Sequence, residues 1–198
     1  MKIIIILNLL VAIFFAFLIR RQVAQKQKDM YSQFKVIGGY RNENEANEML
    51  NKLNDNALML IDHLVAKYPK NKNVRILKRR YKPKNLCEAD PRTPNDTSFT
   101  IGKGRKLAMC IRQKDGVLVN NEGVLMSVLL HEMAHIALNM TGHDGHDELF
   151  WRWTKFLSEE AKKINIYVPV DYSKHPADYC KIQLNSNPYF MEFGPRKK

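Results

Sequence analysis

The sequence predicts an α+β fold: a small mixed or antiparallel sheet packed beside a central helix and flanking helices, preceded by one transmembrane helix. Three observations carry this. Apolar residues recur at three- and four-residue spacing over 42–68 and 149–164, short β-rich runs punctuated by glycine lie between those segments, and an apolar run opens the chain. The composition agrees, since 45% hydrophobic and 26% charged residues exclude wholesale disorder and a polytopic membrane protein.

The opening run extends from Ile3 to Ile19, interrupted only by Asn8, and Arg20 and Arg21 follow at once. About seventeen residues of helix rise roughly 26 Å, enough to cross a thin bilayer. A cleaved signal peptide is the competing reading, but the run ends in Phe17, Leu18 and Ile19 without a small-x-small cleavage site. Lys2 alone precedes the run, whereas Arg20, Arg21, Lys26, Lys28 and Lys35 follow it, so the positive-inside rule leaves the remainder in the cytosol. The expected organisation is an anchor at 1–21, a juxtamembrane segment at 22–41 and a single domain at 42–198. Cys87, Cys110 and Cys180 are odd in number, widely spaced and lack a CxxC pair, so the sequence predicts unpaired thiols in a reducing compartment.

Between 42 and 68 the positions Ala46, Met49, Leu50, Leu53, Ala57, Leu60, Ile61, Leu64 and Val65 form one apolar stripe, and Pro69 stops the helix. Residues 67–84 then carry nine lysines and arginines and no acid, with Tyr68 and Tyr81 interleaved. That pattern suits nucleic-acid binding, with phosphate contacts and base stacking, or else a basic face lying on anionic lipid or in solvent. Residues 85–95 read as a loop, rich in proline, aspartate and asparagine. Strands are expected at 99–101 and 107–111 around Gly102 and Gly104, and again at 117–119 after a turn at 114–116.

The chemistry concentrates further on. His131-Glu132-Met133-Ala134-His135 follows an apolar stretch and lies on a helix expected to start near Asn121. A spacing of four puts both imidazoles on one helix face, and Glu132 beside them can act as a base toward water activated by a metal. These are the parts of zinc hydrolysis: neutral nitrogen ligands, an open coordination position and a carboxylate. After Met140 the chain meets Gly142 and Gly145, and the turn offers His143 and His146 as a third ligand. A second amphipathic helix follows through Leu149, Phe150, Trp153, Phe156, Leu157, Ala161 and Ile164. Other known spacings of a third ligand fall on Thr141, Thr154 and Lys155, none of which would serve.

These residues resemble the WLM and SprT-like zinc metalloprotease family, in which HExxH is followed after a turn by histidine, three residues and phenylalanine. The matching string is His146-Asp147-Glu148-Leu149-Phe150, so the resemblance selects His146 as third ligand. A glycine turn and a strand ending in arginine, Ile101 to Arg112, look like the WLM branch. The resemblance implies a mini-zincin-like core and a zinc endopeptidase acting on protein substrates, with His131, His135 and His146 on the metal and Glu132 as general base. Family members that act on DNA-crosslinked proteins carry extra modules after the core, and none follows here, so that role is not implied.

Some roles stay open at this level. An oxyanion donor could be His143, Tyr172, His175 or Tyr179, and the strand at 107–111 could offer its edge to an extended substrate. Cys87 reads as an ordinary thiol or as a latent-state metal ligand. Asp144 and Asp147 could orient imidazoles or cap the next helix. Residues 164–193 read as an ordered wrap containing a strand-like 166–170. The rival reading is a membrane-tethered module that grips nucleic acid or an anionic surface, its metal structural or vestigial.

Overall fold

The computed structural model describes residue 15 and residues 34–93, 97–140 and 145–194. The chain divides into a unit of residues 1–33 and a unit of residues 34–198. In the first, only Phe15, helical and exposed, is described. Among the described residues no helix is long and apolar enough to cross a membrane. The single-pass membrane localisation with a cytosolic domain, expected from the N-terminal run, is therefore corrected. The run at 3–19 that prompted it lies, Phe15 apart, outside the described residues.

Among its described residues the second unit has four α-helices and two small sheets. Helix α1, Glu43–Lys67, buries Ala46, Leu50, Leu53, Ala57, Leu60, Ile61 and Leu64, the stripe its period demands. Helix α2, Lys72–Arg80, lies within the basic segment. Asn71 caps it, its side-chain oxygen accepting from the backbone N–H groups of Asn73 and Val74 at 2.9 and 3.2 Å. Its Val74 and Leu77 point into the core.

Strands β1 (Leu86–Glu88), β2 (Phe99–Ile101) and β3 (Lys106–Met109) form one sheet in the order β1-β3-β2. β1 runs parallel to β3, with Leu86 opposite Leu107, while β2 runs antiparallel, with Thr100 opposite Leu107. β3 is thus paired on both sides, and its edge is not open to a substrate. β2, at the end of the sheet, takes that place. Gly104 in the β2–β3 turn has φ +92°, and a Cβ there would come within 3.2 Å of Ile136, so only glycine lets this turn lie on the next helix.

That helix, α3 (Glu122–Ala137), is the centre of the molecule. Asn121 caps it by accepting from Val124 N–H at 3.0 Å. Val124, Leu125, Met126, Leu129, Leu130, Met133, Ala134, Ile136 and Ala137 are all buried, so it is apolar nearly all round. It ends at Leu138, where Asn139 takes a left-handed φ of 61° and Met140 N–H returns to His135 C=O at 2.9 Å. The stop therefore comes before either of the glycines expected to supply it.

Helix α4, Glu148–Lys163, is capped by Asp147, which accepts from Phe150 N–H at 2.8 Å. Strands β4 (Ala177–Tyr179) and β5 (Ile182–Leu184) make a separate antiparallel hairpin. A disulfide between Cys110 and Cys180 ties this hairpin to the end of β3. The expectation of three unpaired thiols is thereby overturned: two pair, and Cys87 is the one left over. The argument from free thiols to a reducing compartment goes with it.

Two buried polar clusters fasten the periphery. Arg112, wholly buried, donates from Nε and Nη2 to the two Glu88 carboxylate oxygens at 2.6 and 2.5 Å, and to Ile37 C=O at 2.8 Å and Asn42 Oδ1 at 3.1 Å. Tyr40 lies over its guanidinium at 4.4 Å. Residues 37–42 are so bound to the sheet. Glu160, 1% exposed, draws His63, Lys67 and Tyr68 from the α1 end together with Lys163 on its own helix.

Candidate metal centre

The i, i+4 spacing on α3 places His131 and His135 with ring centroids 5.1 Å apart. Asn139 then turns the chain so that His146 comes back over them, its ring 4.7 Å from His131 and 5.1 Å from His135. The Nε2 atoms of His135 and His146 are 3.1 Å apart, and one ligand atom from each of the three residues falls within 4.8 Å of the others. Two imidazole nitrogens on one tetrahedral ion, each at about 2.0–2.1 Å, stand roughly 3.3–3.4 Å apart. The cluster could therefore hold a metal ion. Burial supports this: it pulls the His131 pKa down to about 3, helped by the neighbouring imidazoles, and lowers His146 too. Both rings are thus neutral at ordinary pH, the form in which an imidazole can bind a metal.

Phe150 explains the histidine-to-phenylalanine spacing in physical terms. Fully buried on the first turn of α4, it sits 4.8, 4.4 and 4.6 Å from the rings of His131, His135 and His146. It is a common apolar floor that restrains all three imidazoles. Trp151 flanks His146 at 5.2 Å.

Glu132 is 4% exposed, and burial raises its carboxyl to about 7 against a smaller opposing pull from the Thr100 hydroxyl. Its Oε2 and Thr100 Oγ1 are both buried without a hydrogen-bond partner among the described residues. A cleft of about 930 Å³ contains His131, Glu132, His135 and His146 in its lining. Its lining also includes Ser98, Phe99 to Ile101 on β2, and Tyr179, Ile182 and Leu184 from the hairpin.

The other residues singled out in the sequence fare differently. Tyr179 lines the cleft, whereas Tyr172 and His175 do not, and His143 and Asp144 lie outside the described residues. Asp147 is a helix cap. Cys87 sits half-buried on β1, with β3 between it and β2, and does not line the cleft, so the latent-ligand reading is not supported. Ser98, Thr100 and Trp151 had no sequence signal, because each reaches the site only through sheet register or helix phase.

The basic segment also resolves. Lys72, Arg75, Lys78 and Arg79 are exposed on α2, but Tyr81 is buried with its hydroxyl on Asn54, and Tyr68 is held by Glu160 and the edge of Phe156. Neither tyrosine is placed to stack on a base.

An α+β domain with HExxH on its central helix and a third histidine beside the pair is metallopeptidase-like, and its three histidines could hold a metal ion. The description that matches it is the WLM domain, over residues 29–176, and the chain belongs to that family. It is also 29% identical over 172 residues to an uncharacterized protein of Acanthamoeba polyphaga mimivirus, with 85% of each chain covered. No solved structure matches.

Proposed function

We propose that the protein is a zinc-dependent endopeptidase that hydrolyses peptide bonds in protein substrates. The observation that carries this reading is Glu132: a buried carboxylate beside two ligand-spaced imidazoles, with one oxygen unpartnered in the cleft wall. A structural metal site in a binding module has no use for such a group, because burying it uncompensated costs stability.

Three histidine nitrogens within 4.8 Å of one another suit zinc. Zinc held there supplies Lewis-acid chemistry, polarising the scissile carbonyl and making water acidic enough to lose a proton near neutral pH. Glu132, which lines the same cleft, would accept a proton from the attacking water and return it to the leaving amine. The β2 edge, Phe99 to Ile101, offers backbone groups to an extended substrate.

The test is metal content and proteolysis of the full chain. About one zinc per molecule is expected, with cleavage of an unfolded protein substrate that disappears in Glu132→Gln while the zinc remains. A Glu132→Gln protein as active as the wild type would overturn the reading.

A further inference from the structure

In the lining of the same cleft, two hydroxyl groups meet. Ser98, just ahead of β2, places Oγ 2.6 Å from the Tyr179 hydroxyl on β4. The same Oγ accepts from Cys110 N–H at 2.9 Å. The pair has two hydroxyl hydrogens, and one lies in the bond between the two oxygens. Whichever oxygen donates in that bond, the other hydroxyl hydrogen has no acceptor among the described residues. Both side chains line the cleft that contains Glu132 and the three histidines.

We propose that this Ser98–Tyr179 pair donates its unspent O–H to the carbonyl oxygen of the scissile bond as that oxygen gains negative charge. The inference rests on the peptidase reading. Three features favour it. Tyr179 is 1% exposed, so its hydroxyl is little spent on bulk water, and a donor in such a setting is worth more than one in solvent. Burial raises the Tyr179 phenol, and negative Glu132 adds to this against the Ser98 bond, so the group stays protonated and able to donate. Finally, the disulfide clamps both members. Cys180 follows Tyr179 in the chain, while its partner Cys110 is the residue whose amide holds Ser98. Pre-set donors of this kind act on charge that develops during reaction, not on the resting substrate.

The test uses the full-length, zinc-loaded protein and the variants Tyr179→Phe and Ser98→Ala. In steady-state hydrolysis of a peptide, Tyr179→Phe is expected to lower kcat about 100-fold and leave KM within about twofold. A second readout needs no turnover. In a Glu132→Gln background, calorimetry should find that Tyr179→Phe weakens a phosphinic peptide, the tetrahedral mimic, at least about tenfold, and the uncleaved substrate peptide hardly at all. Ser98→Ala should act in the same direction, and Ser98→Thr, which keeps the hydroxyl, should restore most of the effect. Unchanged kcat, or equal weakening of mimic and substrate, overturns the proposal. Should Tyr179→Phe fail to fold, Ser98→Ala and Ser98→Thr decide by the same two measurements. A wild type that cleaves nothing overturns the peptidase reading and this inference with it, whereas a wild type that cleaves, with a kcat that Tyr179→Phe leaves unchanged, overturns the inference alone.

Discussion

The Nε2 atoms of His135 and His146 lie 3.1 Å apart although the two residues come from different helices' ends and differ in burial, one closed in and one exposed. That spacing fits a hydrogen bond between the two rings and also two nitrogens that could share one metal ion. Loading with zinc separates the two. His146→Ala is expected to lose most bound zinc and to abolish the thermal stabilisation that zinc gives the wild type. Metal analysis and a melting curve with and without a chelator measure both, and full zinc retention would remove His146 from the ligand set.

The Glu88–Arg112 pair predicts a different sort of sensitivity. Arg112→Leu leaves the Glu88 carboxylate buried and strips Ile37 C=O and Asn42 of a donor, so a loss of about 3–5 kcal/mol is expected. The double variant Glu88→Leu/Arg112→Leu should lose less than the sum of the single variants, because no lone charge remains. Urea denaturation of the four proteins closes the cycle, and strict additivity would count against a coupled pair.

Glu160 makes stability depend on acid. Burial alone would raise its carboxyl, but bonds from Lys163, His63, Lys67 and Tyr68 outweigh this and hold it at about 2, below its ordinary value of 4.5. A folded pKa below the unfolded one adds stability above about pH 4.5, which is lost as pH falls through about 2. Glu160→Gln should therefore be about 2–3 kcal/mol less stable at pH 7, with the difference shrinking below pH 4.5. Chemical denaturation at several pH values tests it, and a gap that stays constant with pH would refute it.

The disulfide joins residues 70 positions apart. On chain-entropy grounds its removal in a Cys110→Ala/Cys180→Ala protein should cost about 4 kcal/mol. A reducing agent should lower the melting temperature of the wild type and leave that of the variant unmoved. Equal responses would mean that the bond does not form.

The helices were legible where one face carries the burden. α1 and α4 follow from apolar period, α3 from a continuous apolar stretch that starts near Asn121, and the paired histidines from helical spacing. α2 was hidden because its lysines and arginines outnumber the two buried residues, Val74 and Leu77, that fix it. β1 looked like loop because its inward residue is Glu88, a charge that becomes a core residue only when Arg112 arrives from beyond β3. Residues 166–170 read as a strand, yet they join no sheet: Pro169 lacks an N–H, Val168 is 77% exposed, and Tyr167 is instead held by Asn187. The β4–β5 hairpin turns at Cys180 with φ 52°, where a glycine would have announced it. Cysteine parity gave the wrong answer because an odd count forbids complete pairing, not pairing.

The Cys110–Cys180 bond also closes the chain into a covalent ring. Glu132, all three histidines, Tyr179 and the whole of α3 and α4 lie within that ring. A single backbone cut inside it opens the ring without releasing a fragment. The nicked molecule stays one covalent piece until the disulfide is reduced.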